Sequence, residues 1–368
     1  MKLLITTEAD DTHALFVKSA MEHLGHETRL FFTADQPTKQ RNSIFINHKD
    51  FRWKTADEHE SIQDNHYDVV WWRRPRKPFI PKQKTHPEDY QFVTKENILF
   101  HESIANNLAP EAFWINSKES ALRSNSKLLQ LKLAGECGLI TPMTLCSNDS
   151  AEIRSFVAKN EQTGVIYKPL CSAFWFEENQ MKLAYTSKIT LKDLPNDEAL
   201  QLVPGIFQLQ IAKKYELRIT CFGDYLLTAR LNSQEHSDGQ IDWRIIPEGQ
   251  MSIEPYNLPP TVENKIKQFM HRMGLVFGCL DFIVTPEGDY VFLEVNEQGQ
   301  FLWIEEYNSD FKMLDTFIQF LLNKSSKFQW EKDQAVHTIS CYKKEVRDLL
   351  DENLMRHVYL NCAQAQIA

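Results

Sequence analysis

No window of this 368-residue chain is apolar over the length that a bilayer-crossing helix needs. The opening run Leu3-Leu4-Ile5-Thr6 is too short, and too soon followed by acids, to act as a secretory signal. A cytoplasmic protein with no membrane partner is therefore expected. The seven cysteines, Cys137, Cys146, Cys171, Cys221, Cys279, Cys341 and Cys362, are odd in number and scattered, and none forms a CxxC pair. That pattern predicts reduced thiols and argues against a zinc site. The Gly-rich fingerprint GxGxxG is missing, which removes support for dinucleotide binding. A net charge of -9, with a pI near 5.8, excludes a general nucleic-acid binder, so any anionic partner must be met by a local basic patch. Internal repeats, low-complexity segments and persuasive Ser-His-Asp or Cys-His spacings are also missing.

What is present is an ordinary globular composition, 42% hydrophobic and 25% charged, on a chain long enough for two or three domains. Residues 2–7, a helical spacing over 13–24 ended by Gly25, and 26–32 read as a βαβ beginning with a parallel sheet. Strands are expected over 50–57 and 67–72, and a long helix over 86–107. Asn125-Ser126 caps a helix that runs through Leu133, and a strand is expected over 141–145. Further strands are expected over 165–169, 205–220 and 225–232, and amphipathic helices over 261–273, 310–323 and 343–360. The last helix carries Val346, Leu349, Leu350, Leu354 and Val358, an apolar set suited to the body or to a second copy, as in a homodimer.

Two runs of aromatic and β-branched residues, 278–284 and 290–295, flank Thr285-Pro286-Glu287-Gly288-Asp289 and predict a hairpin. With Glu287-Gly288 at its tip, Asp281 lies across from Glu294, and Asn296 points to the same face. Like charges set opposite each other on a sheet are destabilising unless neutralised. A hard divalent cation such as Mg²⁺ would neutralise them through oxygen ligands. A solvated acidic hairpin is the alternative, and the apolar neighbours Leu280, Phe282, Phe292 and Val295 speak against it.

Basic residues recur at several points. Arg73, Arg74, Arg76 and Lys77 cluster beside Trp71 and Trp72, as a solvated face or as an anchor for an acidic peptide segment. Lys127 occupies a first helical turn, where the macrodipole prefers anions, and Lys168 stands in an apolar strand; a ligand phosphate would suit both. Glu216 and Arg218 share a strand face. Arg230 follows on the next strand, and Asp242-Trp243-Arg244 repeats the acid-x-arginine spacing. These charges read either as cross-strand salt bridges or as three arginines converging on a triphosphate or acyl phosphate. The loop 171–180 is a lid candidate that lacks the glycines of a phosphate cradle.

In this order the residues resemble the ATP-grasp carboxylate-amine ligases over about residues 115–323, through NSK with Lys127, GLITP, IYKP with Lys168, FQLQI, and the Asp281, Glu294 and Asn296 set. VVWWRRP, KKYELRIT, DWR and FLEVNEQGQFLWIE are similar to the microviridin-type peptide macrocyclases that make graspetides. The lid differs from that of ribosomal-protein glutamate ligases, which is richer in glycine. The resemblance implies an α/β (α+β) ATP-grasp fold. Its parts would be an N-terminal α/β domain (1–114), a central subdomain (115–203), a C-terminal antiparallel-sheet subdomain with the Mg²⁺ and ATP site (204–323), and a helical extension (324–368).

By the same resemblance, Lys127 and Lys168 hold ATP phosphates, the backbone of Gln208, Leu209, Gln210 and Ile211 reads the adenine edge, and Glu216 lies near the ribose. Arg218, Arg230 and Arg244 meet the γ-phosphate or the acyl phosphate, and Asp281, Glu294 and Asn296 bind Mg²⁺. Arg73 and Arg74 belong to the body on which the peptide site is built. The implied partner is a ribosomal precursor peptide with a leader and an acidic core. Its Asp or Glu side chains would become acyl phosphates, which Thr, Ser or Lys side chains attack to close ester or amide rings. Two rivals remain: a ligase that adds an amino acid or peptide to a separate carboxylate, and a non-catalytic ATP-binding scaffold.

Overall fold

The computed structural model describes every residue except 64, 171–173, 178–179, 184–185, 248, 331–334 and 361–368, and of 174–177, 180–183 and 238 the backbone alone. The chain forms two units, Met1–Glu119 with Lys312–Ala368, and Ser120–Phe311. The C-terminal segment thus joins the first unit rather than standing as a separate extension. Among the described residues no helix is long and apolar enough to cross a membrane. Cys137, Cys146, Cys221, Cys279 and Cys341 are free thiols, and Cys171 and Cys362 fall outside the described residues.

In the first unit a four-stranded sheet runs Glu27–Phe32, Lys2–Thr7, Val69–Trp72, Phe113–Ile115 in spatial order, with every neighbouring pair parallel. Leu3, Leu4, Ile5, Val69, Val70 and Trp71 are buried on both faces, which is why these strands read as continuous apolar runs rather than alternating ones. The helix Thr12–His23 packs with the C-terminal helix Ile339–Arg356, where His23 meets Glu345 at 3.0 Å and Tyr342 edge-on. The long helix begins at Tyr90 rather than His86 and ends at Asn107. A three-stranded antiparallel sheet, Arg41–Ile46, Phe51–Ala56 and Ser61–Ile62, adds two strands, the first and the last, that the sequence pattern did not mark.

Arg73 shows how this unit handles its basic cluster. Its side chain is 0% exposed and its Nε lies 3.0 Å from Asp11. Arg74 and Arg76 both pair with Glu8. Arg73 is therefore committed to the interior and offers no edge to a peptide, while Arg74 is one-quarter exposed. Asp11 precedes the helix Thr12–His23 but caps none of its N–H groups, because its carboxylate accepts from Thr7 and Arg73 instead.

The second unit holds two larger sheets. One runs Ser187–Ile189, Val165–Lys168, Gly205–Leu209, Thr144–Ser147, all antiparallel. The other runs Ile253–Pro255, Tyr225–Leu231, Tyr215–Phe222, Phe277–Val284, Tyr290–Asn296, also antiparallel. The helices Lys127–Glu136 and Pro260–Met273 cover one face of the second sheet. Leu133, Ile266, Phe269, Met270 and Met273 meet Leu217, Ile219, Leu280, Phe282 and Phe292 there in one core. Proline in the first turn and Gly274 at φ +77° mark the ends of the second helix. The other face carries Glu216, Arg218 and Asp281 beside the buried apolar Phe222, Phe277 and Ile283.

Burial pushes the Asp11 carboxyl up, but Arg73 and its neighbours outweigh burial and hold it at about 2 against an ordinary 3.8. A carboxyl depressed in the folded state stabilises above its unfolded value and loses that contribution as pH falls through about 2. Asp11→Asn should therefore flatten the acid limb of a stability-versus-pH curve between about pH 4 and pH 2. Arg73→Met, which leaves Asp11 buried and unpaired, should cost about 3–5 kcal/mol in urea unfolding at neutral pH; a loss below about 1 kcal/mol in that measurement contradicts this account of the pair.

Candidate active site

The hairpin forms as the sequence predicts, with Thr285 and Asp289 closing the loop and Gly288 at φ +94°. The pairing next to the turn is Val284 with Tyr290 and Phe282 with Phe292, one residue out of the register that places Asp281 opposite Glu294. A β-bulge between Asp281 and Phe282, with Leu293 as the extra residue of the facing strand, restores it. Asp281 pairs with Glu294 and Cys279 with Asn296, and the Asn296 amide Nδ2 donates to Asp281 at 3.4 Å. The acid face and the Phe282–Phe292 core face thus share one strand pair.

On the neighbouring strand Arg218 stands in register with Asp281. Its Nη1 donates to both Asp281 oxygens at 2.8 and 2.9 Å, and its Nη2 donates to the Gln300 carbonyl at 3.0 Å. That carbonyl also accepts from Trp303 Nε1. Gly299 makes the turn that presents it: φ is +57°, and a Cβ there would lie 2.5 Å from the Phe277 ring. Lys127, in the first turn of its helix, lies 3.3 Å from the Glu294 carboxylate. The cation that opposes the macrodipole thus has a carboxylate partner.

Lys168 sits in the other sheet with its Nζ 3.2 Å from Gln208 Oε1, and Gln208 passes the chain of bonds to Thr144. Burial lowers the Lys168 pKa, and the Glu294 carboxylate opposes that shift. Arg244 grips Asp242 through Nε and Nη2 at 2.8 and 2.5 Å, with its side chain half exposed. Burial pushes Asp281 above the ordinary carboxylate value, the Arg218 guanidinium pulls it back, and the Glu294 charge raises it further. Burial also pushes Glu294 up, but Lys127, Lys168 and Arg244 outweigh it and hold Glu294 below its ordinary value. Lys127, Lys168, Arg218 and Arg244 therefore act electrostatically on a single carboxylate pair, and their excess positive charge suits a polyanion.

Other expected residues fall elsewhere. Arg230 pairs in register with Leu217, a core residue, so it lies on the opposite face from Arg218. Its guanidinium stacks 4.3 Å over the Tyr215 ring. The three arginines do not converge, and Arg230 is the one that leaves the set. Glu216 is buried and accepts from Lys213 and Ser233, and burial raises its pKa. Gln208 and Leu209 lie in a strand flanked on both sides, Gln210 donates its N–H to Gly164, and Ile211 follows beyond the strand. Half of the lid candidate's residues fall outside the described ones, and of the other half only the backbone is described. Its backbone strands Phe174–Glu177 and Gln180–Leu183 form a separate antiparallel pair. A polar cavity of about 390 Å³ in the first unit, lined by Thr28, Gln40, Thr55 and His357 among others, contains none of these residues.

The donor set fits a hard cation that shares its ligands with phosphate. Among the described residues no cluster of three or more His, Cys, Asp or Glu could enclose a metal alone. Two carboxylates with one amide match an ion that completes its octahedron from substrate and water. Arg218 Nε, buried and without a partner, is a further donor on this face.

No family model and no curated protein matches the chain. Among solved structures it is similar to the macrocyclase MdnC of Microcystis aeruginosa MRC, determined with its precursor peptide MdnA bound. The identity is 30%, over 88% of this chain and 100% of that one, with a TM-score of 0.76. The macrocyclase MdnB of the same organism is 26% identical, over 87% and 99% of the two chains, with a TM-score of 0.73. A RiPP-associated ATP-grasp ligase of Chryseobacterium gregarium, in complex with ADP, a leader and a core peptide, is 24% identical over 91% and 99%, with a TM-score of 0.78.

Because Arg218 is the neutralising partner of Asp281, Arg218→Met should destabilise the protein by about 3–5 kcal/mol. Adding Asp281→Asn should recover part of that loss. Equal stabilities for the single and double variants in urea denaturation would contradict the pairing.

Proposed function

This chain belongs to the ATP-grasp peptide macrocyclases, and on that premise we propose that it closes rings in a ribosomal precursor peptide by activating Asp or Glu side chains with ATP and Mg²⁺. The γ-phosphoryl group passes to a carboxylate oxygen of the peptide, giving an acyl phosphate and ADP. A Thr or Ser hydroxyl, or a Lys amine, of the same peptide then attacks the acyl carbon. The new ester or amide bond forms as the phosphate leaves, and the proton of the nucleophile is released.

The observation that carries this reading is Asp281 set against Glu294 on a sheet face and ringed by Lys127, Lys168, Arg218 and Arg244. Asp281, Glu294 and Asn296 would hold Mg²⁺, which supplies Lewis-acid charge at the transferring phosphate. Lys127 and Lys168 orient phosphates. Arg244 is half exposed and next to Trp243, which stacks on Trp303 with ring centroids 5.0 Å apart. It is suited to meet the acyl phosphate as it forms, and Arg218 holds Asp281 in place. Gln208–Ile211 would line the adenine, with the residues past Gln210 offering the backbone groups that the sheet does not use. Arg73, buried against Asp11, has no part in recognising the leader or the acidic core. A cytoplasmic setting supplies ATP and keeps the free thiols reduced.

Purified protein incubated with ATP, Mg²⁺ and its precursor peptide should release ADP and yield a peptide lighter by one water per ring in intact mass spectrometry. A gain of peptide mass would support the rival that joins a separate amino acid or peptide, and bound nucleotide without ADP would support the scaffold. Glu294→Gln should stay folded and abolish ADP formation; full turnover in that variant sinks the metal assignment. Arg244→Met should lower turnover, whereas Arg230→Met should reduce stability without changing nucleotide affinity.

A further inference from the structure

We infer that Gln130 is a positioning residue for the phosphate and metal end of the site proposed above, and the inference rests on that reading. Gln130 is 3% exposed, three residues beyond Lys127 on the same helix. Its side-chain Oε1 accepts the Val295 N–H at 2.9 Å, and its Nε2 donates to the Val295 carbonyl at 3.0 Å and to the Ser124 carbonyl at 2.6 Å. The amide thus pairs with the outer edge of the strand Tyr290–Asn296 as a neighbouring strand would, bonding both backbone polar groups of the one residue that lies between Glu294 and Asn296.

Two consequences follow from the geometry. The bulge at Leu293 interrupts the ladder immediately before Glu294, so the backbone carrying both oxygen ligands needs a second anchor, and Gln130 bonds both polar groups of Val295. The same bonds fix the first turn of the helix against that strand, and Lys127 lies in that turn, 3.3 Å from Glu294. Gln130 therefore sets the Lys127–Glu294 separation without touching nucleotide or metal. Residues that orient ligands in this indirect way alter metal affinity by about 10–100-fold when changed. The third bond, to Ser124 at the end of the helix Lys118–Ser124, holds the turn that leads into the Lys127 helix.

Gln130→Met keeps the length of the side chain and removes its hydrogen bonds. We expect the dissociation constant for Mg²⁺-ADP, read by calorimetry on the full chain, to rise about 10–100-fold. The distinguishing readout is a double-mutant cycle with Lys127→Met. If Gln130 acts through the Lys127–Glu294 separation, the double variant binds Mg²⁺-ADP little worse than Lys127→Met alone. Losses that multiply, or a folded Gln130→Met that binds as wild type, overturn the inference. If Gln130→Met does not fold, Gln130→Glu takes its place, since it keeps an acceptor for the Val295 N–H; wild-type affinity in that variant would also overturn the inference. Wild-type protein that binds no Mg²⁺-ADP overturns the ligase reading itself, so the two failures are separable.

Discussion

Asp281 and Glu294 face each other across an antiparallel strand pair whose other side is fully buried core, and the rest of the second unit is arranged to make that tolerable. Two carboxylates at cross-strand distance repel, and burial raises the cost of ionising either. The sheet answers with Arg218 in register, its Nη1 shared between both Asp281 oxygens. The helix Lys127–Glu136 brings Lys127 to Glu294, and the sheet that contains Val165–Lys168 contributes Lys168. These cations stabilise the acids, and together they exceed them in charge. A structure that only needed to bury two carboxylates could have used two neutral residues; the surplus charge is what a phosphate-bearing ligand requires.

Much of this was legible in the sequence because its signals are local. Strand alternation and a Gly-containing turn fixed the hairpin, and the acid pairing survived although the register near the turn is shifted, since the bulge shifts it back. Ser126 capped its helix as the Ser/Asn pattern implies, accepting from the Leu129 N–H. The pairing of Lys127 with Glu294 and of Arg218 with Asp281 was not legible, because each meets a residue far along the chain.

Arg230 is a different case, since its face could have been read. Phe222 and Tyr225 close a two-residue turn, so counting back along the hairpin sets Arg230 opposite Leu217, on the core face, and not beside Arg218. Gln130 gave little local sign: its Val295 partner is 165 residues away and its bonds, that to Ser124 included, go to backbone. In the first unit, the Arg73, Arg74, Arg76 and Lys77 cluster reads from sequence as a solvated face or a peptide anchor, and neither reading buries Arg73. Its burial follows from Asp11, which the sequence presents only as a helix-start acid.

The most direct test of the central claim is a crystal structure of the protein with Mg²⁺ and a non-hydrolysable ATP analogue. The account predicts metal density coordinated by both Asp281 and Glu294 and by analogue phosphate oxygens, with Lys127 and Lys168 directed at the phosphates. Metal and phosphates bound elsewhere, with Glu294 still paired to Lys127 and Asp281 contacting only Arg218 and Asn296, would contradict it.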